Sequence, residues 1–177
     1  MSVEEITETK NYLTFTLNSE LFAIEIINVR EVLDITKMTK VPRTPDFMPG
    51  VINLRGSVVA VIDLRKKFGM NKPAQKTDPC IIIIEIKHDN ESIVLGALAD
   101  SVQEVVALEP DVIEPAPNFG IQLNTEFIMG MGRRDNHFII ILDTQKVFSL
   151  EELTAFTETN CEEVPVRKLE DKPKCEN

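Results

Sequence analysis

Tryptophan is absent from the 177-residue chain, and cysteine, tyrosine and glycine are scarce, with three, one and seven copies. Cys80, Cys161 and Cys175 are widely spaced and odd in number, which argues against a disulfide framework or a zinc site. Ordinary reduced thiols are expected. No apolar run approaches the ~20 residues of a membrane-spanning helix, and the first ten residues lack the apolar stretch of a signal peptide. The sequence therefore predicts a cytoplasmic protein with no direct membrane insertion.

Positive charge is also in short supply. The chain has 19 Lys and Arg residues against 29 Asp and Glu, which gives a formal net charge of −10 and a pI of about 4.7. Nucleic acids and acidic membrane surfaces attract basic patches, so the composition argues against both classes of partner. Motifs that cradle phosphates or present a catalytic serine are absent from the sequence. We therefore expect no nucleic-acid partner, no metal and no cofactor.

Two aspartates, Asp63 and Asp143, each follow a predicted strand and have two possible roles. They could form a paired-carboxylate site of the kind that glycosidases use. Alternatively, each could cap the short helical turn that follows it, and the polarity of residues 63–68, DLRKKF, favours the cap. An enzyme would require the two carboxylates to converge in one cleft, so the structure distinguishes the two hypotheses.

Short apolar or alternating segments bounded by turn residues dominate the chain and predict β-strands. The predicted strands cover residues 12–17, 21–26, 38–41, 80–86, 92–100, 127–132 and 137–143, with two more in the apolar run 50–64. Helical turns are predicted at 29–33, where Asn28 provides a capping side chain, at 63–68 and at 149–156. Many strands with few helices are typical of an all-β sandwich or barrel.

The chain also contains an internal repeat. A shift of 73 positions aligns V-x-E-V at 29–32 with V-x-E-V at 102–105, and a shift of 80 aligns F-x-x-G at 47–50 with F-x-x-G at 127–130. Such a duplication predicts two similar small β-units in one molecule. They should share a core, because a unit of ~70 residues is marginally stable by itself.

A polar break, Asn53-Leu54-Arg55-Gly56, interrupts the apolar run 50–64. The duplication aligns it with residues 133–136 and thereby explains a turn between two strands, but it does not explain the choice of residues. On one hypothesis Arg55 points into water, with Gly56 supplying a positive φ. On the other, an arginine held on a tight turn is a contact point for a partner protein.

The glutamates of the two V-x-E-V motifs, Glu31 and Glu104, allow two interpretations as well. Each is either a solvated charge between buried valines or part of the charged rim of an apolar contact surface. A module that binds proline-rich peptides is a further alternative. Aromatic residues make up only 6% of the chain, which leaves few side chains to line such a groove.

The order of these motifs resembles the CheW family of chemotaxis coupling proteins. The matching elements are V-x-E-V at 29–32, P-x-x-P-x-F-x-x-G-V-x-N-L-R-G at 42–56, and V-x-x-V-x-D-L at 58–64. Ala60 stands in the last element where proline is usual, and Asn18-Ser19 replaces the usual glycine of the first hairpin. Neither change touches a charged position. The resemblance extends over about residues 11–156.

The resemblance implies an all-β fold of two SH3-like five-stranded β-barrels packed around a shared core, with a short C-terminal helix. It divides the chain into a flexible N-terminus at 1–10, a CheW-like domain of two pseudo-repeated barrels at 11–157, and a mobile charged tail at 158–177. The implied function is that of a non-catalytic adaptor in two-component chemotaxis signalling. Such an adaptor couples methyl-accepting chemoreceptors to the histidine kinase CheA.

The resemblance also implies the partners and the residues that meet them. The protein, a monomer in isolation, would bind the CheW-like regulatory domain of CheA. A groove between its barrels would accept the helical cytoplasmic tip of a chemoreceptor, which recruits the protein to membrane-associated receptor arrays. Partner binding is assigned to Arg55, Glu31, Val29, Asn53 and Leu54, and backbone support to Gly50 and Gly56. No role carries over to Arg133 or Arg134, since the second half lacks N-L-R-G.

Overall fold

The computed structural model describes residues 8–70, 78–88, 90–115 and 125–148. The chain divides into two units, Met1–Val147 and Phe148–Asn177, and the helices and strands described below belong to the first. The predicted helix at 149–156 and the predicted mobile tail at 158–177 lie outside the described residues. The same holds for residues 1–7 of the predicted flexible N-terminus.

The described backbone is mainly extended. Its strands are β1 Lys10–Leu17, β2 Glu20–Glu25, β3 Val29–Asp34, β4 Gly50–Leu54, β5 Ser57–Asp63, β6 Cys80–His88, β7 Glu91–Ala99, β8 Ser101–Leu108, β9 Ile113–Glu114, β10 Ile128–Arg134 and β11 His137–Leu142. Two single-turn helices are α1 Leu64–Lys67 and α2 Thr144–Val147, and 3-10 turns cover Ile26–Asn28, Pro110–Val112 and Thr125–Phe127. In this part of the chain no helix has the length and apolarity needed to cross a bilayer.

The helical turn predicted at 29–33 is wrong. Those residues form β3, in which half-buried and exposed side chains alternate, because β-branched valines alternating with charges suit an edge strand. Asn28 ends a 3-10 turn instead of capping a helix, and its amide donates to Thr144 Oγ1 at 3.1 Å. The second V-x-E-V motif, Val102–Val105, likewise lies in a strand, β8, that the sequence did not predict. At 38–41 only Thr39 pairs, with Val51.

The strands form two sheets. The first sheet has the order β8-β1-β2-β11-β10-β9 and the second the order β3-β6-β7-β5-β4. Each curls until its outer strands share one core. In the second sheet, Leu33 of β3 and Leu54 of β4 pack against the same cluster, although their strands are the two ends of the order. In the first sheet, Leu108 of β8 and Ile113 of β9 meet in the same way.

The predicted duplication is visible in the pairing of the strands. In the first sheet β2 pairs in parallel with β11, and Phe22 lies opposite Ile140. In the second sheet β7 pairs in parallel with β5, and Leu95 lies opposite Ala60. Phe22 and Leu95 differ by 73 positions and Ile140 and Ala60 by 80, the two offsets found in the sequence. The two sheets therefore repeat one arrangement, residue for residue.

Each sheet nevertheless combines both copies of the repeat. The hairpin β1–β2 of the first copy joins β8 to β11 of the second, and the hairpin β6–β7 of the second joins β3 to β5 of the first. The two β-units expected from the duplication are thus present, but they are not the two halves of the chain. Because each copy contributes strands to both sheets, neither sheet can form from one copy alone.

Asp63, the last residue of β5, and Asp143, directly after β11, cap helices, as the sequence favoured. Asp63 accepts hydrogen bonds from the backbone N–H groups of Arg65 and Lys66. Asp143 accepts from those of Gln145 and Lys146 in the same geometry. Their carboxylates are therefore used in local structure at equivalent positions of the two copies.

Tyr12 in β1 is a fully buried side chain whose hydroxyl has no hydrogen-bond partner among the described residues. Burial, followed by the nearby charge of Glu25, raises the pKa of Tyr12 to about 12. The unfolded chain releases this proton near pH 10. Stability contributed by the protonated phenol is therefore fully present below about pH 10 and is lost as the pH rises toward about 12.

We expect Tyr12→Phe to remove this alkaline loss of stability, which amounts to about 1.4 kcal/mol between pH 8 and pH 11 and approaches roughly 2–3 kcal/mol only above the folded-state pKa. Urea unfolding at about pH 8 and about pH 11 measures it. At the lower pH the variant should match or exceed the wild type, because a buried hydroxyl without a partner is removed. If wild type and variant lose the same stability between the two pH values, Tyr12 is not the group responsible.

Candidate functional site

The polar break in the apolar run is a two-residue hairpin turn between β4 and β5. Leu54 pairs with Ser57, which leaves Arg55 and Gly56 as the loop. Their φ angles are 51° and 87°, the left-handed conformations that tight hairpin turns with two central residues require. Asn53 Oδ1 accepts a hydrogen bond of 2.8 Å from the N–H of Gly56 and closes the turn. Asn53 and Gly56 thus build the turn, and Arg55 is presented at its tip.

Arg55 and Glu31, two of the residues assigned to partner binding, form one ion pair. Nη1 of Arg55 lies 2.8 Å from Oε1 of Glu31, and Nη2 lies 2.9 Å from Oε2, so the guanidinium binds both carboxylate oxygens. The Arg55 side chain is 76% exposed, whereas that of Glu31 is 24% exposed. The Glu31 carboxylate, the less exposed partner, therefore fixes the position of the Arg55 guanidinium. Most of the Arg55 side chain remains exposed to solvent.

This ion pair joins the two outer strands of the second sheet. Glu31 lies in β3, immediately after a register shift in the pairing with β6, and Arg55 follows β4. Leu54, next to Arg55, and Leu33, two residues after Glu31, both pack against the core cluster of this sheet. Val29 is half-buried at the start of β3. Leu54 thus supports the surface from the core side, and Arg55 supplies its exposed charge.

Gly50, the first residue of β4, is required by close approach of the backbone. A Cβ at this position would overlap the carbonyl oxygen of Thr39. That oxygen accepts the N–H of Val51 at 2.8 Å, and the N–H of Thr39 donates to Val51 O at 2.8 Å. Because the atoms nearest to this Cβ, the carbonyl group of Thr39 and the N of Lys40, all belong to the backbone, no side-chain rotation can relieve the overlap.

Gly50→Ala is expected to destabilise the fold by roughly 1–3 kcal/mol, the usual cost of inserting a methyl group into filled space. The free energy of urea unfolding measures it. Ser57→Ala, at an exposed position of the same hairpin, is the control and should change stability by less than about 0.5 kcal/mol. Equal unfolding midpoints for Gly50→Ala and wild type would contradict the close approach.

Two exposed valines near Arg55 and Glu31 along the chain were not singled out from the sequence. Val58, two residues after Gly56, is 76% exposed, and Val32, next to Glu31, is 41% exposed. Alternation in β5 could have identified Val58, since Val59 and Val61 are buried and Val58 must point outward. An exposed arginine followed by an exposed valine in the same hairpin is a composition found at protein contact surfaces. Val32 points to the opposite face of β3 from Glu31, so we call Arg55, Glu31 and Val58 the Arg55 surface.

The first sheet carries a related but different arrangement. Arg134 Nη1 lies 3.2 Å from Oε1 of Glu104, the glutamate of the second V-x-E-V motif. The tight turn here is Asp135-Asn136, so the arginine is in the strand and the turn presents an acidic residue instead. Phe138, equivalent to Val58 at the offset of 80, is 53% exposed.

A small cavity of about 150 Å³ opens beside this second ion pair, between Glu104, Arg134 and His137. It is smaller than the ~300 Å³ at which ligand pockets begin.

Elsewhere, the guanidinium of Arg30, 2.9 Å from Glu85 Oε2, lowers the pKa of that carboxyl. Burial raises the pKa of the free Cys80 thiol, which keeps it protonated. The Arg55 surface thus remains the best-defined candidate site of the described residues.

Comparison with known proteins identifies a family. Residues 11–152 match the family described as the CheW-like domain. The chemotaxis protein CheW of Klebsiella aerogenes is 35% identical over 147 residues, which cover 83% of this chain and 86% of the relative. The chemotaxis protein CheW of Bacillus subtilis is 34% identical over 149 residues, covering 83% and 92% of the two chains.

A solved structure agrees with the fold. The crystal structure of the scaffolding protein TtCheW from Thermoanaerobacter tengcongensis superposes with a TM-score of 0.71 at 36% identity. The match covers 81% of this chain and 90% of that one. The prediction of two SH3-like barrels is therefore confirmed, as is the family resemblance read from the motifs. Five strands were expected in each; the second sheet has five, whereas the first has six because the two-residue β9 pairs with β10.

Proposed function

The chain belongs to the CheW-like family and is a chemotaxis scaffold protein, and we propose that it joins the histidine kinase CheA to a methyl-accepting chemoreceptor. On the kinase it meets the CheW-like regulatory domain. On the receptor it meets the helical cytoplasmic tip, which a groove between the barrels accepts. Because one molecule contacts both partners, the state of the receptor controls the activity of the kinase.

The observation that carries this proposal is the Arg55 surface. Arginine is among the residues that contribute most to binding when a partner covers them. The two-pronged contact with Glu31 already orders the Arg55 guanidinium, so less side-chain entropy is lost on binding. Exposed Val58, in the same hairpin, supplies apolar area.

The scaffold acts without catalysis. Asp63 and Asp143 were the aspartates considered for an acid–base pair. Their carboxylates accept hydrogen bonds from the first backbone N–H groups of α1 and α2 and so cap these helices. The protein is a cytoplasmic monomer in isolation. It reaches the membrane-associated receptor array by binding the receptor tip rather than by inserting into lipid.

A pull-down tests the two contacts separately. The full chain is immobilised and offered the regulatory domain of a CheA-type kinase, a chemoreceptor cytoplasmic fragment, or both. We expect each fragment to be retained alone and the two to be retained together. Retention of neither would overturn the scaffold proposal, and retention of only one would overturn the bridging role.

A further inference from the structure

The backbone crosses between the two sheets twice within the described residues. The first crossing runs from β2 to β3 through the 3-10 turn Ile26–Asn28, and the second runs from β7 to β8 through Asp100 alone. The crossings are equivalent under the duplication, since Ile27 and Asp100 differ by the offset of 73. Their contacts with the rest of the molecule are very different.

The second crossing is tied to both sheets by one carboxylate. Asp100 has a side chain that is only 3% exposed, and its Oδ1 lies 3.2 Å from Nη1 of Arg65 in α1, directly after the second sheet's β5. Its Oδ2 accepts a hydrogen bond of 2.8 Å from the N–H of Asn18, in the β1–β2 turn of the first sheet. The N–H of Asp100 donates to Thr16 O in β1 at 3.0 Å. Charge-assisted bonds of this kind are about twice as strong as neutral ones.

Among the described residues, no buried carboxylate ties the first crossing to both sheets. At the positions equivalent to Asp100 and Arg65, the chain carries Ile27 and Gln145. Ile27 is 82% exposed. The side-chain bond recorded at this crossing is a neutral one, from Asn28 Nδ2 to Thr144 Oγ1 at 3.1 Å. Two equivalent crossings therefore differ: the second carries a buried ion pair, and the first carries a neutral hydrogen bond and an exposed Ile27.

We propose that the Asp100–Arg65 ion pair is a pivot that fixes the angle between the two sheets, and that motion between them is taken up at the Ile27 crossing. Ile27 lies two residues before Val29 and four before Glu31, so this motion displaces the strand that carries the Arg55 surface. The pivot sets the orientation of that surface relative to the first sheet. It is a property of the isolated chain and does not depend on the proposed partners.

Pulsed electron paramagnetic resonance distance measurements on the full chain test the pivot. Nitroxide labels are placed at Lys87→Cys in β6 and Ala107→Cys in β8, with the three native cysteines replaced. Both positions are exposed. Ala107 lies seven residues along β8 from Asp100, and Lys87 lies seven residues along β6 from Cys80, which pairs with Ala99 next to Asp100. At ~3.3 Å per residue, both separations are about 23 Å. A change of sheet angle is therefore read as a large change of distance.

We expect one narrow distance distribution in the wild type and at least a twofold broader one in Asp100→Asn, which keeps the shape of the side chain and loses its charge. Arg65→Gln, which installs the residue found at the equivalent position 145, should broaden it equally. The double variant should be no broader than either single one, because all three remove the same contact. Asn28→Ala, at the other crossing, is the matched control and should leave the wild-type width unchanged.

Two results would overturn the pivot. One is a wild-type distribution already as broad as that of the variants. The other is unchanged width in Asp100→Asn and Arg65→Gln together with a lower unfolding temperature, which would assign the ion pair to stability alone. Should Asp100→Asn fail to fold, Arg65→Gln decides the question alone. It removes the cationic partner of Asp100, so a wild-type width in this variant would contradict the pivot.

Discussion

Arg55→Ala is expected to weaken binding to the kinase regulatory domain or to the receptor tip by about 30-fold, the loss of roughly 2 kcal/mol typical of an interface hot spot. The Arg55 side chain is 76% exposed and its guanidinium is already ordered by Glu31, so most of the side-chain surface is available to a partner. The fold should survive, since an exposed ion pair contributes about 0–1 kcal/mol to stability. Isothermal titration of each partner fragment measures the affinity, and urea unfolding measures the stability.

Arg134→Ala is the matched control for this experiment. Arg134 forms the corresponding ion pair with Glu104 on the first sheet, but it lies outside the N-L-R-G turn. Its replacement should change the affinity at the Arg55 surface by less than about threefold. An Arg55→Ala variant that binds both fragments like the wild type, or one that is grossly unfolded, would show that Arg55 is not a partner contact.

Asp100→Ala is expected to lower the free energy of unfolding by roughly 3–5 kcal/mol, the cost of breaking a buried ion pair from one side. The variant leaves the Arg65 guanidinium, whose side chain is only 20% exposed, without this partner, and it removes the acceptor of the Asn18 N–H. For a chain of this size the melting temperature should fall by about 6–20 °C. Differential scanning calorimetry and urea unfolding give the two values.

Asp143→Ala separates this effect from the loss of a helix cap. Asp143 caps α2 through backbone N–H groups, so its replacement should cost about 1 kcal/mol. Asp100→Ala must be clearly more destabilising than this. Equal losses in the two variants would contradict the importance of the ion pair between the sheets.

Local pattern was sufficient to predict most strands. Alternation in β1 and the apolar run of β6 identify them without tertiary information, and Gly56 marks the turn by its need for a positive φ. The same reasoning gave a wrong prediction for the V-x-E-V segment at 29–32, because Asn28, directly before it, resembles a helix cap. Pairing with β6 outweighs that local signal, since β3 gains a ladder of hydrogen bonds along an apolar strand.

The exchange of hairpins between the copies could not be predicted. The offsets of 73 and 80 identify which residues correspond, but they do not say whether β2 pairs with its own copy or with the other. That choice depends on long-range packing of the two sheets. The candidate site shows the same limit, because Arg55 and Glu31 were both singled out, yet their direct contact across 24 positions appears only in the folded chain.

Reconstitution of receptor-controlled kinase activity tests the scaffold function most directly. Autophosphorylation of a CheA-type kinase is measured with chemoreceptor present, without the chain, with the chain, and with its Arg55→Ala variant. The account predicts that the kinase responds to receptor stimulus only when the wild-type chain is added, and that the variant restores little of the response. A kinase that responds equally without the chain, or that ignores the receptor when the wild-type chain is bound to both partners, would contradict it.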